Sequence, residues 1–374
     1  MARSRSNRMG TPAEHAEAVA RINIRKDSSR EVFMDRRNFL KSATVAAAGS
    51  VSPAGALASQ FSTTTRLPES PNMIYRELGR TGERVSAIGL GGYHVGKQQD
   101  PNESIRLIRA AIDGGITFMD NCWDYNGGIS EVRMGQALRD GYRQKVFLMT
   151  KIDGRDKSTA ARQIEQSLGR LQTDVIDLLQ FHEVIRLDDP DVVFAPGGAL
   201  EAVLEAREAG KVRHIGFTGH KDPSVHLRMF ETADKHGFHF DTVQMPINVM
   251  DAHFRSFLNG VAPVAQQRGA AILAMKTFGD PYILKSNTVT PIEALHFGLN
   301  SPAAVVITGI DSTAILEQAF QAVQTFKPMD PQQVATILAK TKDAALTGNF
   351  ELFKTSSRYD GTIRNPSWLG YTNG

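Results

Sequence analysis

The chain has 374 residues, 41% of them hydrophobic and 22% charged, with a formal net charge of +3. That even balance, with no basic stripe interleaved with aromatics, argues against a nucleic-acid partner. The single cysteine, Cys122, excludes an internal disulfide and a cysteine-ligated iron–sulfur cluster or zinc site; it reads as a small residue packed at a strand end.

The basic residues concentrate in the first forty positions. Residues 34–59 read MDRRNFLKSATVAAAGSVSPAGALAS, with Arg36 and Arg37 ahead of Asn38, Phe39, Leu40 and Lys41, then a weakly apolar stretch and a small-x-small site at Ala56-Leu57-Ala58. This resembles a twin-arginine export signal. It implies a leader over residues 1–58, the export machinery as a partner and a periplasmic or otherwise exported destination, or a cytoplasmic one if the leader is not used. The apolar core is too short to span a bilayer, so stable membrane insertion is not expected. No cysteine follows it to carry a lipid anchor, and Met1 and Met34 both remain possible starts.

From Ile74 the pattern changes. MIYRELGRTGERVSAIGLGG has the alternation and glycine-containing turn of a β-hairpin leading into a buried strand. Apolar runs then predict strands at Val85–Leu90, Ile116–Asp120, Val146–Thr150, Val175–Phe181, Val212–Phe217, Thr242–Met245, Ala271–Met275 and Ala304–Thr308. Helical spacing recurs between them, at Glu103–Asp113, Glu131–Arg139, Thr159–Leu171, Ala199–Ala209, Ser224–His236 and Thr313–Val323. The alternation predicts an α/β chain, a (β/α)8 TIM barrel over residues 73–326 with an N-terminal hairpin. Met250–Gly260 reads as a loop with a short helix. Residues 327–374 form a helical and aromatic C-terminal extension packing on the barrel, expected mostly against the outer helices.

In such barrels chemistry gathers at the C-terminal ends of the strands. Asp120 ends the second strand, Tyr125 follows in the loop, Lys151 follows the third strand and His182 the fourth. A tyrosine hydroxyl has a pKa of about 10, and a neighbouring ammonium lowers it. A carboxylate beyond the lysine keeps that ammonium charged, and a histidine can orient a carbonyl. Together the four can protonate an oxygen that is becoming an alkoxide. No side chain supplies a hydride, so a nicotinamide is the expected source.

FMDNCWDYNGGISEVRMGQAL, FLMTK, DVIDLLQFHEV and KVRHIGFTGH, in that order, resemble the aldo-keto reductase family. The resemblance implies reduction of an aldehyde or ketone, or the reverse oxidation of an alcohol, with NADP as cofactor and NAD possible. It makes Tyr125 the acid/base, Lys151 and Asp120 its tuning pair, and His182 the residue that orients the carbonyl. On the cofactor side it assigns Gly91, Gly92 and Tyr93 to the first-strand turn, Thr218 and Gln244 to the carboxamide, Met275 to the nicotinamide wall, and Glu317 and Gln318 to the adenine. Gly309, Asp311 and Ser312 open a helix whose backbone N–H groups can hold phosphate, and Lys276 is either a phosphate contact or a solvated rim charge. Four positions depart from the family pattern: Gly219 for an asparagine, Met275 for an aromatic, Ala314 for an arginine that contacts the 2′-phosphate, and Glu183 for tryptophan. A redox-responsive auxiliary subunit with little turnover is the second reading. A metal-dependent hydrolase lacks its ligands, since no HxH stands at the first strand; no metal is expected. Monomer and dimer stay equally open.

Overall fold

The computed structural model describes residues 66–370. The leader lies outside the described residues. The chain opens with an antiparallel hairpin, β1 (Tyr75–Glu77) and β2 (Arg84–Ser86). Eight parallel strands then close into a barrel: β3 (Ile88–Gly91), β4 (Phe118–Asp120), β5 (Phe147–Ile152), β6 (Ile176–Phe181), β7 (Val212–Thr218), β8 (Thr242–Pro246), β9 (Ala271–Met275) and β10 (Val305–Gly309), with β10 pairing back onto β3. The predicted strand Val85–Leu90 is divided at Ala87, because its first part belongs to the hairpin and its second to the barrel.

The helices are α1 (Gly92–Val95), α2 (Pro101–Asp113), α3 (Ile129–Ala137), α4 (Lys157–Leu171), α5 (Asp189–Phe194), α6 (Ala199–Glu208), α7 (Pro223–Lys235), α8 (Phe257–Gly260), α9 (Ala262–Arg268), α10 (Pro291–Asn300), α11 (Thr313–Thr325), α12 (Pro331–Ala345), α13 (Leu352–Thr355) and α14 (Gly361–Arg364). Their starts are written in the sequence. Asp100, Asp156 and Asp222 accept the first free N–H groups of α2, α4 and α7, and Thr290 with Glu293 forms a capping box on α10. Among the described residues no helix is long and apolar enough to cross a membrane.

Two apolar layers follow from the two faces of each strand. Phe118, Phe147, Met149, Leu178, Ala271, Leu273, Val305 and Ile307 fill the barrel interior, joined by Leu78 and Val85 of the hairpin. Leu148, Ile152, Leu179, Val243 and Met245 instead face the helices. One further inward step along the strands leads from Phe118 to Asp120, from Met149 to Lys151 and from Leu273 to Met275. The polar residues at the mouth are therefore the last members of the inward rows.

The first part of the C-terminal extension, α12, lies against the outer helices as expected, with Lys340 donating to Glu293 of α10 at 2.7 Å, whereas the segment from Ser356 to Leu369 crosses this mouth. The Lys221 ammonium donates to the Ser356 carbonyl, Tyr359 donates to Asp280, Gly361 and Thr362 N–H donate to Glu183, and Arg155 N–H donates to the Leu369 carbonyl. Those partners sit on loops after β7, β9, β6 and β5, so the segment passes over several loop ends in turn. Polar anchors of this kind, not apolar periodicity, decide its course.

Candidate active site

Lys151 lies inside β5, not after it, and is buried to 1% exposure. Its ammonium donates to Asp120 Oδ1 at 2.5 Å, to the Asn121 carbonyl at 2.6 Å and to the Tyr125 hydroxyl at 3.3 Å. Three partners satisfy the three N–H donors of a buried ammonium. Its charge is thus held closer to the carboxylate than to the phenol.

The loop after β4 delivers Tyr125 to this point by a tight turn. Asn126, Gly127 and Gly128 have φ of 54°, 64° and 88°, a run of left-handed residues that the Asn-Gly-Gly sequence tolerates. Asn126 Nδ2 donates to the Tyr93 carbonyl at 2.9 Å, and Ser130 Oγ to the Gly92 carbonyl at 2.7 Å, tying this loop to the one after β3. Gly92 cannot carry a side chain, since a Cβ there would stand 2.4 Å from the Asp120 carbonyl oxygen. Tyr93 is 41% exposed and packs edge-on against Tyr125, ring centroids 5.5 Å apart.

The Tyr125 phenol does not behave as expected from its ammonium neighbour. Burial, and then the Asp120 carboxylate, push its pKa well above the ordinary value. Asp120 and the Asn121 carbonyl occupy the ammonium, so the net local field on the phenol is negative. The group stays protonated at ordinary pH, which suits a proton donor better than a base.

His182 follows β6 and places its ring edge-on to Tyr125 at 5.8 Å between centroids. Its Nδ1 meets Asp153 Oδ1 at 2.9 Å and Asp124 Oδ1 at 3.5 Å. Neither aspartate was singled out from sequence, although Asp153 stands two residues beyond Lys151 and so on the same side of an extended chain. Burial and then Asp153 raise the Asp124 carboxyl to about 6. Cys122 is fully buried, and burial lifts its thiol well above the usual range, so it is an inert packed residue.

The cofactor-side residues fall into two groups. Thr218 and Gln244 are paired in register on β7 and β8, and Thr218 Oγ1 lies 3.9 Å from Met275 Sδ at the end of β9. Gln244 is buried and its Oε1 has no partner among the described residues. Gly91, on β3 and three strands round the barrel from β8, is crowded by backbone, since a Cβ there would stand 2.9 Å from the Thr308 carbonyl oxygen. At Gln244 a buried unpaired acceptor costs free energy unless a ligand donates to it, and a carboxamide N–H is such a donor. These residues fit a nicotinamide. The second group is on the rim: Gly309 ends β10, Ser312 caps α11, and Asp311 and Glu317 are exposed with Gln318 half-buried. Among the described residues these last four form no closed site, although Gln98 Nε2 donates to the Asp311 carbonyl at 2.9 Å.

Lys276 is half-buried and forms no ion pair among the described residues. Its ammonium stands 4.5 Å from the Tyr359 ring centroid and 5.9 Å from that of Phe353, and burial lowers its pKa. Two of the four departures have structural reasons. A Cβ on Gly219 would stand 2.2 Å from the Val184 carbonyl oxygen, leaving no room for an asparagine. Glu183 accepts the Gly361 and Thr362 N–H groups at 2.8 and 2.7 Å, so it anchors the C-terminal extension.

A sequence model described as the Aldo/keto reductase family matches residues 87–336. Aldo-keto reductase YhdN of Bacillus subtilis is 36% identical over 159 residues, covering 38% of this chain and 46% of that protein. The chain spans about half the length of such curated relatives. Among solved structures, aldo-keto reductase AKR11C1 from Bacillus halodurans superposes with a TM-score of 0.61 at 21% identity, over 72% of this chain and 96% of the other. An aldo/keto reductase from Klebsiella pneumoniae in complex with NADP and acetate gives 0.58 at 23%, over 71% and 95%. Both likenesses are of fold.

Proposed function

This chain belongs to the aldo/keto reductase family, and from that premise we propose that it reduces the carbonyl of a small aldehyde or ketone with a reduced nicotinamide cofactor. The observation that carries this reading is the convergence of Asp120, Lys151 and Tyr125 in one hydrogen-bonded row beside His182. When bound, the nicotinamide supplies the hydride. Tyr125 donates its proton to the carbonyl oxygen as negative charge develops there. Lys151, 3.3 Å from the hydroxyl, offsets the phenolate that remains. Asp120 holds Lys151 in place and charged. His182 turns its second ring nitrogen to the same oxygen.

NADP is the preferred cofactor, supported by the NADP bound to the Klebsiella relative. Ala314, in place of a cation for the 2′-phosphate, keeps NAD as the competing choice. The leader motif supports export by the twin-arginine pathway with cofactor loaded before crossing.

Fluorescence titration with NADPH and NADH, followed by turnover of a nitrobenzaldehyde, tests the reading. We expect saturable binding, tighter for NADPH, and aldehyde-dependent cofactor oxidation. Binding of neither reduced cofactor would reject it.

A further inference from the structure

His182 has a hydrogen-bonding arrangement that its role in orienting a carbonyl does not by itself require. Its Nδ1 lies 2.9 Å from Asp153 Oδ1 and 3.5 Å from Asp124 Oδ1. Asp153 is fully buried, and its Oδ2 has no partner among the described residues. A buried carboxylate with a spare oxygen is costly unless a positive group answers it. The 2.9 Å separation is that of a hydrogen bond. Two ligands at about 2.0–2.2 Å from a tetrahedral ion stand farther apart, about 3.3 Å or more, so a proton, not a cation, fits between this pair.

An ionised carboxylate only accepts, so Nδ1 carries the hydrogen. A neutral imidazole has one N–H. With it committed to Asp153, the Nε2 of a neutral ring presents a lone pair, which repels a carbonyl oxygen. Only the imidazolium donates from both nitrogens. We propose that Asp153, assisted by Asp124, is a positioning residue that holds His182 doubly protonated, so that the ring meets the substrate oxygen as a cationic donor; this rests on the reductase reading above.

The surroundings of the ring agree. Asp124 approaches from the loop after β4, Asp153 from the end of β5, and Glu183 is the next residue along the chain. Arg155 donates to the His182 carbonyl oxygen at 2.7 Å, but its charge is matched by Asp189 at 3.0 Å. The Tyr125 ring presses edge-on from the mouth, with the Cys122 thiol beside Asp124 and neutral. Burial disfavours the charged ring, yet Asp124, Asp153 and Glu183 outweigh it and raise its pKa above the ordinary value.

The test is the pH dependence of kcat for aldehyde reduction by wild type, Asp153→Asn and Asp124→Asn, with the His182 ring titrated by NMR in the same proteins. Wild-type kcat should fall as pH rises through the His182 pKa. In Asp153→Asn that limb should move to lower pH by about one unit, a loss of about tenfold in kcat on the alkaline side with the cofactor Kd unchanged. Asp124→Asn should shift it the same way by less, and serves if Asp153→Asn does not fold. Coincident limbs in all three proteins, or a neutral ring with its hydrogen on Nε2 throughout, would overturn the proposal. If wild type shows no turnover, the reductase reading fails while the NMR titration still decides the protonation of His182.

Discussion

The Lys151 ammonium stands 2.5 Å from the Asp120 carboxylate and 3.3 Å from the Tyr125 hydroxyl, both side chains of the ion pair being almost wholly buried. The ion pair thus comes first and the phenol second. Removing one partner of a buried pair leaves the other charge uncompensated, at a cost of about 3–5 kcal/mol. Asp120→Asn should therefore lose stability on that scale in urea denaturation at neutral pH. A loss below about 1 kcal/mol would mean that Lys151 finds other partners.

Glu183 ties the C-terminal extension to the mouth through two backbone N–H groups. Charge-assisted hydrogen bonds contribute about 1.5–3 kcal/mol each. Glu183→Ala should release the segment around Gly361, read as new cleavage between 357 and 370 in limited proteolysis while the barrel stays intact. An unchanged digestion pattern would show that the neighbouring anchors, Asp360 with His220 and Lys221, hold it without help.

Gly219→Asn restores the residue that the family resemblance leads one to expect. A Cβ at this position would meet the Val184 carbonyl at 2.2 Å, so a backbone shift is required. Overpacking of this kind costs about 1–3 kcal/mol. The variant should unfold at a lower temperature than wild type; an equal Tm would show that the loop after β6 yields.

His226 is fully buried between Phe217 and Phe257, and burial drops its pKa to about 3. In the unfolded chain it takes up a proton near pH 6.5. A depressed histidine contributes stability that is complete above the unfolded value and is lost as pH falls from about 6.5 toward 3, at about 1.4 kcal/mol per unit. Unfolding free energies from urea denaturation at pH 7, 6, 5 and 4 should fall more steeply in wild type than in His226→Leu, the difference approaching that slope. Parallel slopes would exclude His226 as the cause.

The barrel was legible because each strand is a short apolar run with a helix after it, and the site was legible where a polar residue ends such a run, as at Asp120 and Thr218. Lys151 was recognised but set one step too far along, since an ammonium inside a buried strand looks from sequence like a strand end. The direction of the Tyr125 shift is not legible because it depends first on full burial of the phenol and then on the Asp120 carboxylate, neither of which sequence order shows. Asp153 carries no signal beyond its two-residue spacing from Lys151. The course of the C-terminal extension rests on backbone donors meeting Glu183, and composition does not encode such contacts.

The central claim is that Tyr125 delivers the proton while Lys151 stands beside it. The most direct measurement is a single-turnover experiment: protein preloaded with NADPH is mixed with excess nitrobenzaldehyde, and the loss of cofactor absorbance is followed in wild type and Tyr125→Phe. Proton transfer from a positioned side chain is worth about 10²–10⁴-fold, so the variant should bind NADPH as wild type does and transfer hydride at least about a hundredfold more slowly. Equal rates in the two proteins would contradict the account.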